Sequence, residues 1–198
     1  MRRAIVVFIT AVCLLAMVAG CSSNRPSQIA PMSLTAGQQG VVNLIASGAL
    51  EILLFEYSLN QPFTKFEIWV EVYHYGQLQE HPAGLAMLGD EQFPLTDGHI
   101  TILINQIVNN EFHWTISVGG AMARIEPWRA DTAALSRSFG RIQEAVSIES
   151  GREVVLYVSK FTDLHSFRMG DDLQRYVNEP ELLAAYTYAH IIKARFTE

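Results

Sequence analysis

Residues 65–75 read KFEIWVEVYHY. Phe66, Ile68, Val70, Val72 and His74 fall on one side of a two-residue repeat; Lys65, Glu67, Trp69, Glu71, Tyr73 and Tyr75 fall on the other. In an extended strand neighbouring side chains point to opposite faces, so this alternation predicts a half-buried β-strand. Its β-branched and aromatic residues suit a pleated surface.

The same period recurs on either side. HITILIN (99–105) groups Ile100, Ile102 and Ile104, and EFHWTISV (111–118) sets Phe112, Trp114, Ile116 and Val118 against Glu111, His113, Thr115 and Ser117. Asn109-Asn110 between them tolerates positive φ and suits a tight hairpin. LEILLFEYSL (50–59), ending at Asn60-Gln61-Pro62, reads as a strand paired with 65–75. AMARIEPW (121–128) extends the meander after Gly119-Gly120, and residues 145–148 and 153–159 flank a further hairpin signal at Glu149-Ser150-Gly151-Arg152. Residues 76–98 carry two prolines and four glycines and show no clear element.

Two readings fit the C-terminus. Asn178 and Glu181, with Pro180 between, form a helix-start signal, and Leu182, Ala185, Ala189, Ile192 and Phe196 keep helical spacing. Equally, Tyr188, His190, Ile192, Ala194 and Phe196 share one face of a strand. An otherwise open sheet edge favours a short helix at 180–186 followed by a strand. The expected fold is therefore all-β with one short helix near the C-terminus. It is an antiparallel β-sandwich of seven or eight strands, immunoglobulin-like in architecture but without paired cysteines.

The N-terminus has a different character. Met1-Arg2-Arg3 precedes an apolar run from Ala4 to Ala19, too short for the roughly 20 residues of a permanent membrane span. A positive start, a short apolar middle and a small-residue end are the marks of a secretory signal. Val18-Ala19-Gly20-Cys21 resembles the lipobox of bacterial lipoproteins. That resemblance implies removal of residues 1–20, diacylglycerol on the Cys21 sulfur, and a protein held at the extracytoplasmic face of a cell membrane. Two or more acyl chains hold a protein stably where one does not. The expected organisation is a signal at 1–20, the lipidated cysteine and a flexible tether at 21–40, and a single domain at 41–198. Nineteen tether residues would span about 24 Å root-mean-square.

Composition narrows the partners. The chain has 14 Lys+Arg and 20 Asp+Glu; removal of Arg2 and Arg3 leaves 12 basic residues and a net charge near −8. No basic cluster remains, which argues against nucleic acid. Of the two cysteines, Cys13 leaves with the signal and Cys21 carries lipid, so stability must come from packing rather than disulfides.

Catalytic motifs are sparse. No G-x-S-x-G, S-x-x-K, Walker or H-E-x-x-H pattern occurs. His99 and His113 share the polar face of the expected hairpin and could begin a metal site, but no ligand set completes it, so no metal and no cofactor beyond the Cys21 lipid is expected. Asp171-Asp172 and Asp90-Glu91 read as solvated acids, and Glu67 and Glu71 stand about 13 Å apart on one strand face, too far for a glycosidase pair. The outward face with Glu67, Trp69, Glu71 and Tyr73 is the candidate binding surface, two aromatic rings and carboxylates able to meet a glycan or a protein. A loop or the C-terminal segment folded over Trp69 and Tyr73 would instead make them a second small core. The expectation is a non-catalytic binding or interaction domain whose partner, besides the bilayer, is an envelope protein or cell-wall glycan. The alternatives are an accessory solute- or glycan-binding lipoprotein and a small envelope hydrolase.

Overall fold

Strand β3 (Lys65–His74) forms where the alternation predicts it, with Phe66, Ile68, Val70 and Val72 buried on one face. The structure, a computed structural model, describes residues 26–46, 50–79, 84–89, 95–107, 111–129, 135–163 and 172–198. The expected turn at Asn109-Asn110, the acids Asp90, Glu91 and Asp171, the histidines His81 and His165, and Cys21 with its leader lie outside the described residues.

The partner of β3 is the closing strand β12 (Tyr188–Thr197), in continuous antiparallel register from Tyr188 opposite His74 to Thr197 opposite Lys65. Beyond β12 lie β11 (Glu153–Thr162) and β9 (Ser136–Arg141); β4 (Gln77–Leu78) and β5 (Leu85–Leu88) pair with the other side of β3. The second sheet runs β10 (Val146–Ser147), β1 (Gln28–Pro31), β2 (Leu50–Ser58), β6 (Gly98–Ile107), β7 (Glu111–Val118), β8 (Ala121–Arg129), again antiparallel throughout. The sheets bury Phe55, Tyr57, Ile102 and Trp114 from one side against Phe66, Val70, Leu156 and Phe196 from the other. Phe196 centres an aromatic cluster, 4.6 Å from Phe66 and 5.2 Å from Tyr57 between ring centroids.

This is the expected all-β sandwich, with a short α2 (Arg175–Asn178) and a 3-10 helix (Pro180–Ala185) leading into β12. Helical spacing at 182–196 misleads because β12 lies in the middle of its sheet. Both its faces are covered, so apolar residues occupy both sides.

Several details differ from expectation. Twelve strands are described rather than seven or eight; the additional β1, β4, β5 and β9 are at most six residues long. Strand β2 pairs with β1 and β6, not with β3. Residues 59–64 cross between the sheets instead, pinned by buried Phe63 and by Asp97 Oδ1 accepting from Leu59 N at 2.7 Å. Likewise β10 and β11 form no hairpin. Val146–Ser147 fills the free edge of β1, while the turn at Gly151, with φ +76°, carries the chain to the other sheet.

The stretch expected to be tether up to residue 40 includes folded structure. Ile29 is fully buried in β1, and α1 (Ala36–Ile45) follows, opened by a capping box in which the Gln38 backbone N–H donates to Thr35 Oγ1. Serine, proline and glycine content hid both. The folded body therefore begins before residue 41. Among the described residues no helix is long and apolar enough to cross a membrane.

Candidate functional site

Strand alternation sends Glu67, Trp69, Glu71 and Tyr73 to the outer face of β3, and the β12 register sets Arg195 opposite Glu67 and Lys193 opposite Trp69. Glu153 at the start of β11 lies opposite Arg195. Three acidic and three basic side chains thereby mesh. Lys65 and Arg195 lie 2.9 and 2.8 Å from Glu67, and Lys193 lies 2.9 Å from Glu71 and 3.0 Å from Glu153. Trp69 Nε1 donates to Glu71 Oε1 at 3.0 Å, and Tyr73 Oη donates to Glu71 Oε2 at 2.6 Å. The Arg195 guanidinium sits 5.4 Å from the Trp69 ring centroid, within cation–π range.

These contacts set the ionisation of the site. Hydrogen bonds from Lys65 and then Arg195 hold the Glu67 carboxyl below the usual range. Burial pushes Glu71 up, but donation from Trp69, Tyr73 and Lys193 reverses this and leaves it lowered too. Burial, reinforced by the hydrogen bond to Glu71, raises the Tyr73 phenol. Both carboxyls are thus ionised acceptors, and neither is tuned to deliver a proton near neutrality.

The four expected surface residues part company here. Tyr73 is buried with Val155, Val158, Tyr176, Leu183, Ala189 and Ile191 in a second core beneath α2 and the 3-10 helix. Glu71 is buried as well, so an open Trp69–Tyr73 platform does not form. Glu67 and Trp69 remain half-exposed and border a cleft of about 440 Å³, closed on the other side by Gly84, Leu85 and Ala86. Gly84 makes that approach possible: a Cβ there would lie 2.3 Å from the Ile68 carbonyl oxygen and 2.8 Å from Trp69 Cβ.

The sequence reading missed Glu153, Lys193 and Arg195. Their signal was present in the strand alternative for 187–196, which puts Ala189, Ile191, Lys193 and Arg195 on one face, but using it required knowing that β12 pairs with β3.

The other candidates do not converge. His99 pairs with Glu56 and His113 with Asn105, six positions apart and hence about 20 Å along the strand. Among the described residues no group of three or more His, Cys, Asp or Glu is placed to hold a metal. His74 lies at the rim, stacked on Tyr188 at 4.7 Å. Asp172 accepts from Gln174 N at the approach to α2. Ser159 and His190 are cross-strand neighbours, but both are buried in the sandwich, and Ser159 Oγ accepts from Arg137 Nε at 2.9 Å. No protein-family model, curated protein or solved structure matches this chain.

Proposed function

We propose that this chain is an exported lipoprotein, held at the extracytoplasmic face of a bacterial membrane by lipid on Cys21, whose sandwich binds a ligand without transforming it. The lipobox resemblance at Val18–Cys21 supports the anchor. Charge-matched walls of the Trp69 cleft support binding rather than catalysis: Glu67 and Glu71 are held ionised by their basic and hydrogen-bonding neighbours, and among the described residues no paired acid and base faces the opening.

The cleft fits a polyhydroxylated ligand such as a cell-wall glycan fragment. Its volume of about 440 Å³ falls in the range of small-molecule sites. The indole offers an apolar stacking edge, while Glu67, Glu153 and Arg195 offer fixed acceptors and donors to hydroxyl groups.

Calorimetric titration of soluble cell-wall glycan fragments into the acylated full chain in detergent micelles tests this reading. Saturable binding weakened about tenfold or more by Trp69→Ala is expected, from the loss of the ring contact and the hydrogen bond it makes to Glu71. Absence of binding by the folded protein, or equal affinity in Trp69→Ala, would reject the cleft. Turnover of an ester, glycoside or phosphate substrate would put a hydrolase in its place.

A further inference from the structure

Helix α1 is well started but poorly supported. Its capping box is complete, yet none of its ten residues is buried. Helices this short are marginal in water unless an apolar face packs against something. The side of α1 carrying Gln39, Val42 and Asn43 borders a groove toward β2 and Phe139. The other side presents Val41, Leu44 and Ile45, which are 57%, 75% and 55% exposed. These positions follow i, i+3, i+4 spacing and so form one stripe.

We infer that this stripe lies on the phospholipid bilayer carrying the Cys21 anchor, fixing how the sandwich is tilted above the membrane. The inference rests on the anchored-lipoprotein reading. Two features single out the bilayer as occupant. First, Gln28, the start of β1, is seven residues beyond Cys21, and seven extended residues reach at most about 25 Å. Since α1 begins five residues after β1 ends, the anchor keeps this helix close to the membrane surface.

Second, residues 26–50 contain no Asp, Glu, Lys, Arg or His, in a mature chain whose net charge is near −8. An acidic body is repelled by anionic lipid over most of its surface. The uncharged stretch is where that repulsion is weakest and apolar side chains are on offer. With no basic residues the helix adds no electrostatic attraction, so it orients the protein while the acyl chains hold it.

The test uses the full chain, acylated by a bacterial host and reconstituted into phosphatidylethanolamine–phosphatidylglycerol vesicles. An environment-sensitive fluorophore is attached at Leu44→Cys or, as control, at Leu88→Cys. Leu88 is 77% exposed and lies on β5, across the β3–β12–β11 sheet from β9. Acyl-brominated lipid should quench the Leu44 probe by about half or more and leave the Leu88 probe nearly unchanged, as expected for a helix seated at the headgroup–acyl boundary. Adding Val41→Asp and Ile45→Asp should abolish quenching without releasing the protein from the vesicles.

Equal quenching at the two positions would overturn the inference. So would a blue shift of the Leu44 probe that grows with protein concentration without lipid, which would assign the stripe to a second copy of the chain. Intact mass of the same sample reads the anchor separately. An unmodified Cys21 with the Leu44 probe in water rejects both proposals; an acylated Cys21 with that probe in water rejects only this one.

Discussion

The Lys193 ammonium sits between two carboxylates, 2.9 Å from Glu71 Oε2 and 3.0 Å from Glu153 Oε2, and both Lys193 and Glu71 are buried. Removing one partner strands the other charge away from water, which costs far more than the pair itself contributes. Lys193→Met should destabilise the fold by about 3–5 kcal/mol. Lys193→Met combined with Glu71→Met should recover much of that loss. Urea unfolding midpoints of the two variants check this, and equal stability of wild type and Lys193→Met would refute it.

Acid sensitivity should begin with His190. Its ring packs against Phe112, Trp114 and Phe161, and burial followed by the nearby Arg137 charge pushes its pKa down to about 3. Folded His190 is therefore neutral where unfolded histidine, with a value near 6.5, takes up a proton. Its contribution is complete above about pH 6.5 and declines by up to about 1.4 kcal/mol per pH unit between there and about pH 3. Glu67 and Glu71, with lowered values, add a separate loss only below about pH 4.3. Unfolding free energies between pH 7 and 5 should fall in the wild type and stay flatter in His190→Leu.

Arg137 joins the two sheets beside the β9 edge. From β9 it reaches Glu51 of β2 at 2.7 Å, donates to Ser159 Oγ and to Tyr157 Oη, and Tyr157 Oη in turn donates to Glu51 Oε2 at 2.7 Å. Arg137→Met should cost about 1–3 kcal/mol, the scale of partly buried charged hydrogen bonds. It should also raise the folded His190 value from about 3, since the neighbouring positive charge is gone, so the His190 loss still begins near pH 6.5 but levels off at a higher pH. Unfolding free energies at pH 7 measure the first effect, and their profile from pH 6 down to about pH 3 measures the second.

Gly84→Ala should open the Trp69 cleft by forcing the 84–88 segment away from the Ile68 carbonyl. Amide exchange at Leu85–Leu88 should accelerate while exchange in β12 stays slow. Gly37→Ala, where an added Cβ meets nothing within 4 Å, should instead stabilise α1 by up to about 1 kcal/mol. Unchanged protection of Leu85–Leu88 in Gly84→Ala would show that this close approach is not what holds the cleft.

Sequence alternation revealed the long strands because each presents one face to the core: Phe66 to Val72, Ile100 to Ile104, and Phe112 to Val118 all point inward as read. It could not reveal which sheet each strand joins. Pairing of β3 with β12 joins residues more than 110 positions apart, and both expected hairpins that failed are local connections that cross between layers. Short strands such as Gln28–Pro31 have too few residues for a period to show. The candidate face was half legible. Glu67 and Trp69 border an accessible cleft, whereas Tyr73 went to the second core because the segment ending at Ala185 folds over it. Its basic half, Lys193 and Arg195, depended on that same long-range pairing.

Intact mass of the protein extracted from the membranes of the cell that makes it is the most direct measurement. The expected species begins at Cys21 and carries diacylglycerol on its sulfur. A free thiol at that position, or a chain still bearing Met1 to Gly20, contradicts the proposal of an anchored envelope protein.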